Sequence, residues 1–269
     1  MPIGYQGEPH SNSHRAVAEL YPDREPVGFH NFPLAFRALE SGEVSLLVLP
    51  IENSTTGSIL PVLDRLISGG VTIIDEHLVE IHYAILGLPG ARLEHITTVH
   101  SHPEALRQAE GALVERGWDP MPEHDTAGAV RLVAERQDPT QAALAPITAA
   151  AAYGLDVIEH GIVDREHNTT RFVVLAHGES PFADDANKSS VAFEAAHTPG
   201  SLALALTELG LRGANLTRIE SRPGDVAWSY RMFIDLIHAP GKDGFNSIFE
   251  PLPVTMRAFH HLGTYPAAP

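Results

Sequence analysis

Two short stretches carry the residue types that act on a small anionic molecule. In "HNTTRFVVL", His167 to Leu175, Thr169, Thr170 and Arg171 stand directly before a run of valines. In "LLVLPIENSTTGS", Leu46 to Ser58, an apolar run gives way to Glu52, Asn53, Ser54, Thr55 and Thr56. Arginine offers a rigid bidentate fork for a carboxylate. The Asn-Ser-Thr-Thr-Gly run is expected to expose backbone amides at a helix start, which suits an anion. Each stretch has a plainer account. A Ser or Thr ahead of "SILPVLDRL" reads as an N-cap, and a threonine pair is ordinary at a strand start. The cap explains a single residue of the cluster, and the two strand ends together read as two walls of one site.

Other candidates add to these walls. "TVHSHPEALRQAEG", Thr98 to Gly111, ends a strand and opens a helix with Pro103 in its first turn and Ser101 as N-cap. Gln108 lies two helical turns beyond Ser101, on the same face. His100 and His102 alternate on an extended segment, yet no third ligand follows at metal-binding spacing, so no metal is expected. "YQGEPHSNSHRA" reads as a ligand-facing loop capped by Asn12 or Ser13, with no G-x-G-x-x-G spacing. No phosphate-binding loop, nucleophile elbow or Ser-His-Asp set is apparent.

Composition narrows the class. The 269 residues are 43% apolar and 19% charged, with no cysteine, so disulfides and thiolate chemistry are excluded. A net charge of −16 and only two lysines, Lys188 and Lys242, argue against nucleic acid. No apolar run is long enough for a membrane helix, and "MPIGYQGEPH" lacks the pattern of a secretory signal. The expectation is a cytoplasmic protein acting on a small molecule.

Positioning these residues requires alternating strands and helices. Strands are predicted at Ile3–Gln6, Val27–Phe29, Leu46–Leu49, Val71–Ile74, Ile96–Val99, Ala142–Ala145 and Phe172–Leu175. Helices are predicted at Ser13–Leu20, Pro33–Ser41, Pro103–Arg116 and Thr126–Glu135. That order implies parallel sheets with ligands at the carboxyl ends of the strands. "DEHLVEIHYAILGLP" (Asp75 to Pro89) and "LDVIEHGIVD" (Leu155 to Asp164) read as crossings between two lobes. "GESPFADDANKSS", Gly178 to Ser190, reads as a linker. Beyond it come strand Val191–Ala196, helix Ser201–Leu209, strands Leu216–Ser221 and Tyr230–Ile237, and helix Ser247–Ala258, a small unit with its own core. There, "TPGSLALAL" and "ANLTRIESRPG" mark a second small-molecule site, with turn chemistry at Pro223–Gly224 as the simpler account.

Taken in order, "YQGEPHSNSHRA", "LPIENSTTGSI", "HSHPEALRQ", "DTAGAV", "AALAP", "YGLDV", "HNTTRFVVL", "GSLALAL", "NLTRIESRP" and "LGTYP" resemble the prephenate dehydratase family over essentially the whole chain. The resemblance implies an α/β fold: a two-lobed catalytic domain, like a type II periplasmic binding protein, over residues 1–180. One lobe would span approximately 1–76 with 157–180 and the other 77–156. A βαββαβ, ferredoxin-like ACT regulatory domain would follow over 189–269. The family's Thr-Arg-Phe motif falls on Thr170, Arg171 and Phe172, with Thr170 as the critical hydroxyl. Glu52 and Asn53 would join it in catalysis, with Ser54, Ser101, Gln108, Thr169, Asn12 and Ser13 binding substrate. Phenylalanine would bind along Gly200, Ser201 and Leu202, with Asn215, Leu216, Glu220, Ser221, Arg222 and Pro223. His10 stands where a small residue is usual, and Ser201 where alanine is usual.

The implied reaction is loss of carbon dioxide and water from prephenate to give phenylpyruvate, driven by aromatisation and needing no cofactor. Arg171 would clamp a carboxylate. Thr170, a poor acid, would hydrogen-bond to the departing oxygen, and Asn53, Ser101 and Gln108 would orient the ring. Glu52 beside an anion must pair with a donor or stay protonated. The effector would be L-phenylalanine and the assembly a homodimer or homotetramer. Arogenate as substrate, a non-aromatising prephenate decarboxylase and a non-catalytic amino-acid sensor stand as alternatives.

Overall fold

A computed structural model describes residues 1–68, 70–162 and 167–268. The chain divides into two compact units, Met1–Ile59 with Leu78–Phe172, and Leu60–His77 with Val173–Pro269.

The first unit opens with β1 (Ile3–Gln6), α1 (Asn12–Leu20), β2 (Pro26–Phe29), α2 (Phe32–Ser41) and β3 (Leu46–Asn53). β1 pairs in parallel with both β2 and β3. These strands are short apolar runs, and residues such as Ile3, Leu47, Val48 and Leu49 are fully buried. α2 is set by its flanks: Asn31 accepts from Leu34 N at 3.0 Å, and Gly42 closes it at φ 78°. α1 is capped by Ser11, which accepts from His14 N, rather than by Asn12 or Ser13, which are already inside the helix. β4 (Gly57–Ser58) folds back on β3, pairing Glu52 with Ser58 and Asn53 with Gly57. The Ser-Thr-Thr cluster is therefore a hairpin tip, not a helix N-terminus, because Gly57 at φ 86° lets the chain reverse.

The rest of this unit holds β6 (Tyr83–Gly87), β7 (Thr98–Ser101), α4 (Pro103–Gln108), α5 (Glu110–Arg116), β8 (Asp119–Pro122), α6 (Thr126–Arg136), β9 (Gln141–Pro146), α7 (Thr148–Tyr153) and β10 (Asp156–His160). The five strands run in the order β10-β6-β9-β7-β8. β7 is parallel to β8 and β9, whereas β6 is antiparallel to β9 and β10. The expected all-parallel sheet is thus mixed, because the segment that enters as β6 lies beside the one that returns as β10. Small residues on both sides bring α6 close: Ala129, Val130 and Val133 pack in one core with Ala143, Ala145 and Leu86. The single helix expected over Pro103–Arg116 is two, broken at Ala109. Of the return crossing expected over Leu155 to Asp164, residues 163 and 164 lie outside the described residues.

β5 (Val71–Glu80) and β11 (Thr169–His177) contribute residues to both units, in a sheet ordered β2-β1-β3-β11-β5. The second unit holds α3 (Leu60–Ile67), the start of β5, and then β12 (Lys188–Ala195), α8 (Ser201–Leu211), β13 (Asn215–Pro223), β14 (Tyr230–Ile237), α9 (Gly241–Phe249) and β15 (Met256–Tyr265). The last four strands form an antiparallel sheet, β13-β14-β12-β15. Its core includes Phe193, Leu209, Ile234, Phe245 and Phe249. The final helix lies earlier than the sequence pattern suggests, since Pro251 and Pro253 lack the N–H groups a longer helix needs. The expected linker ends sooner too: Lys188 already belongs to β12, and its ammonium donates to both oxygens of Glu76 at 2.9 Å. Gly263 lies so close to β5 that a Cβ there would fall 2.1 Å from the Ile73 carbonyl oxygen.

Candidate functional site

The ends of β3 and β11 meet. Ser54 N donates to Thr169 O at 2.9 Å, and Thr169 N donates to Ser54 Oγ at 2.9 Å. Six of the residues singled out from sequence are joined there directly: Asn53, Ser54, Thr55, Thr56, Thr169 and Thr170. Asn53 Nδ2 donates to Thr170 Oγ1 at 2.9 Å and to Asn168 Oδ1 at 2.7 Å. Its own Oδ1 accepts from Thr55 N, Thr55 Oγ1 and Thr56 N at 2.9, 2.7 and 3.1 Å. Both backbone amides are obligatory donors, so they fix which end of the Asn53 amide is oxygen. Thr170 Oγ1 consequently accepts from Asn53 and keeps its own proton to give elsewhere.

The neighbouring pair is ionic. Arg171 Nη1 lies 3.6 Å from Glu52 Oε2, with the arginine buried and the carboxylate partly exposed. Side chains alternate along a strand. Asn53 and Thr170 therefore share one face of this sheet end, and Glu52 and Arg171 share the other. Phe172 is buried in the core.

Asn168 went unremarked in sequence, although it stands inside the quoted His167–Leu175 stretch. It is buried and links Asn53 to Gln108, donating through Nδ2 to Gln108 Oε1 at 2.6 Å. Only its position ahead of the two threonines hinted at this, since an asparagine there is also a common loop residue. Gln108 is the last residue of α4 and reaches this cluster through Asn168, although the spacing reckoned from Ser101 does not apply, since the helix starts only at Pro103. Ser101 does not cap α4. It is fully buried and donates to Leu144 O at 2.5 Å, while His102 caps the helix by accepting from Glu104 N at 3.2 Å. Asn12 is hydrogen-bonded to the buried Tyr83, whose phenol is pushed up to about 12 chiefly by burial. Ser13 is buried in α1. His10 adopts φ 68°, a left-handed conformation that glycine takes freely and that histidine enters more often than most other residues.

His100 makes contacts of 2.9 Å to Glu123 and 3.0 Å to Gln141. Among the described residues no cluster of three or more His, Asp or Glu is arranged to hold a metal ion. Among them, too, no helix is long and apolar enough to cross a membrane.

The stretches singled out in the second unit separate into two places. Gly200, Ser201 and Leu202 line a cavity of about 480 Å³ with Thr198, Tyr230 and Met232. Gly200 at φ 81° starts α8 without a side-chain cap, and Ser201 Oγ donates to Thr198 O at 2.8 Å. Asn215, Leu216, Glu220, Ser221, Arg222 and Pro223 lie on β13 and do not line that cavity. Arg222 instead grips Asp64 of α3 through Nε and Nη2 at 3.2 and 2.9 Å.

A mixed α/β unit thus gathers amides, a threonine hydroxyl and an arginine–glutamate pair at two strand ends. The prephenate dehydratase family pattern matches residues 3–180, and the chain belongs to that family. It is 38% identical over 226 residues to arogenate dehydratase 3, chloroplastic, of Arabidopsis thaliana, a match covering 82% of this chain and 53% of that protein. The chain thus spans about half the length of such plant relatives. A bifunctional N-acyl-homoserine lactone acylase/prephenate dehydratase of Komagataeibacter europaeus is 30% identical over 270 residues, covering 99% of this chain and 96% of that one. Among solved structures, a prephenate dehydratase of Arthrobacter aurescens in complex with L-Phe superposes with a TM-score of 0.88 at 27% identity, covering 100% of this chain and 90% of that one.

Proposed function

We propose that this chain is a prephenate dehydratase with a catalytic domain over residues 1–180 and an ACT domain over residues 189–269 that binds L-phenylalanine. The observation that carries the reading is the Asn53–Thr170 contact, which leaves the threonine O–H as a donor. In the reaction the ring carboxylate leaves as carbon dioxide. Its electron pair enters the ring, and the ring carbon–hydroxyl bond breaks on the opposite side. The departing oxygen gains negative charge and takes up a proton to become water. A hydroxyl already committed as an acceptor to Asn53 gives its hydrogen bond to that oxygen without reorganising, which favours the transition state over the ground state. Arg171, paired with Glu52 on the other face of the strand end from Thr170, is assigned one substrate carboxylate as its second partner.

The second unit's cavity supports the regulatory half of the reading. It holds Gly200 to Leu202 but none of Glu220 to Pro223. A complete effector site then needs the β13 stretch of another copy, which makes the protein a homo-oligomer. The deciding experiment is incubation of the protein with prephenate, followed by ultraviolet absorbance of phenylpyruvate, with arogenate run in parallel. Turnover of prephenate supports the dehydratase. Turnover of arogenate alone, to phenylalanine, reassigns the substrate, in keeping with the names of the plant relatives. Loss of carbon dioxide without aromatic product points to the decarboxylase. Phenylalanine binding with no turnover of either compound points to a sensor.

A further inference from the structure

We infer that Asn168 is a positioning residue, which fixes Gln108 so that its amide nitrogen, not its oxygen, is presented to the substrate. The inference rests on the dehydratase reading for its substrate and on the hydrogen-bond chain for its direction. Thr55 N and Thr56 N force Asn53 Oδ1 to be the acceptor at their end. Asn53 Nδ2 must then donate, so the Asn168 atom 2.7 Å away is its oxygen. Asn168 Nδ2 is thereby turned to Gln108, and the Gln108 atom 2.6 Å away must be Oε1. The remaining end of Gln108 is Nε2, with two hydrogens to give.

Each step follows from the donor and acceptor inventory of an amide, which has one end of each kind. The direction therefore passes from a hairpin backbone on β3, through a residue just before β11, to the end of α4. Three amides aligned head to tail also polarise one another, which strengthens the terminal donor. That donor suits an acceptor oxygen on the substrate, a carboxylate or carbonyl. It cannot turn over to accept without breaking the bond to the buried Asn168.

Asn168→Asp tests this. Aspartate accepts from Asn53 as before, but has no hydrogen for Gln108, which must rotate and present Oε1 outward. The expected result is a fall in kcat/KM of about 10–100-fold, the scale of an unmatched polar contact, carried mainly by KM. The thermal unfolding midpoint should also fall, because a carboxylate is buried there without a cation, so the comparison of single and double variants decides. Gln108→Ala alone should cost a similar factor. Gln108→Ala added to Asn168→Asp should cost almost nothing more, because the donor is already lost. Losses that simply multiply, or an Asn168→Asp variant with full activity, overturn the inference.

Side-chain amide hydrogen exchange measured by NMR judges the direction without any turnover. In the wild type, the Asn53 and Asn168 amide hydrogens should be protected and those of Gln108 should exchange faster; Asn168→Asp should slow the Gln108 pair. Protected Gln108 hydrogens in the wild type overturn the relay even if prephenate is turned over. Exchange in the expected order, with neither prephenate nor arogenate consumed, sinks the proposed reaction and retains the orientation of Gln108.

Discussion

Arg171 Nη1 and Glu52 Oε2 stand 3.6 Å apart at the joined ends of β3 and β11, the arginine side chain 8% exposed and the glutamate 34%. A cation held this deep is costly unless it keeps a partner, so the pair places one positive charge at the strand end and balances it. Glu52, the carboxylate expected beside an anionic ligand, thus has a cation within ion-pair distance. Substituting Arg171→Lys retains the charge but loses the planar fork. Its KM for prephenate should rise about ten-fold or more, by loss of a charge-assisted contact, with a smaller effect on kcat. An unchanged KM removes Arg171 from substrate binding.

Thr170 is tested by separating its hydroxyl from its methyl group. Thr170→Val keeps the shape and deletes the donor, so kcat should fall by about 10²–10⁴-fold, the range for a positioned hydrogen-bonding or proton-transferring group. Thr170→Ser keeps the hydroxyl and should retain much more activity. Equal losses in the two variants, with circular dichroism unchanged, would falsify the hydroxyl role.

Much of this site was legible because strand ends rich in hydroxyls and amides are unusual. Gln108 reaches it through Asn168, not through a helical face shared with Ser101, which lies on β7. What misled was local chemistry with two solutions. The Ser54–Thr56 cluster suits an N-cap or a hairpin tip, and only the pairing of β4 with Glu52 and Asn53 selects the tip. Ser101 and His102 are both competent caps, and burial of Ser101 against the Leu144 carbonyl decides for the histidine. Asn168 was hidden because its partners lie 115 and 60 residues away. The final helix was displaced because apolar periodicity continued into prolines that the backbone cannot accommodate.

The pair formed by Lys188 and Glu76 shows the same limit for stability. Lys188 looked like part of a polar linker, yet it is buried with Glu76, which also accepts from Ala268 N at 2.8 Å. Removing one member leaves an uncompensated buried charge, so Lys188→Met should destabilise the protein by about 3–5 kcal/mol. Adding Glu76→Leu should recover a large part of that loss. Urea unfolding of the single and double variants measures both, and a single variant within 1 kcal/mol of the wild type, on the order of an exposed pair, contradicts the assignment.

Acid should weaken the protein through histidines kept neutral by their surroundings, the buried His238 first. His238 Nδ1 donates to Ala239 O at 2.6 Å, so its neutral Nε2 accepts from Ser189 Oγ at 2.7 Å. Burial lowers the pKa of His238, and partial desolvation lowers those of His14 and His102. His261, more open to solvent, is lowered by desolvation where it packs against Phe182 and Phe245. The unfolded chain, with histidines near 6.5, then binds more protons than the folded one as pH falls below about 6.5. Stability is full above that pH and declines below it. The urea midpoint should be lower at pH 5.5 than at pH 7.5, and His238→Gln with His261→Gln should flatten the difference. A midpoint that rises on acidification refutes the argument.

On the proposed regulation by phenylalanine, Arg222 and Asp64 are the physical handle. α3, which carries Asp64, follows directly after the β3–β4 hairpin in the chain, and Arg222 belongs to the β13 stretch expected to meet the effector. An effector that draws Arg222 away from Asp64 favours a different arrangement of α3; where that arrangement binds substrate less well, linkage requires substrate and phenylalanine to oppose one another by the same factor. Deleting everything beyond Asp185 is a poor test, because it strips Glu76 of Lys188 and leaves Gly263's place against Ile73 empty. Asp64→Asn is the gentler change. Calorimetry should register phenylalanine binding to both wild type and variant, and prephenate turnover without effector should be nearly equal. The half-inhibiting phenylalanine concentration should shift by up to about five-fold, the ceiling for a partly exposed ion pair worth ~1 kcal/mol. An unshifted value with binding intact uncouples Asp64 from regulation, and an absence of binding to either protein removes phenylalanine as the effector.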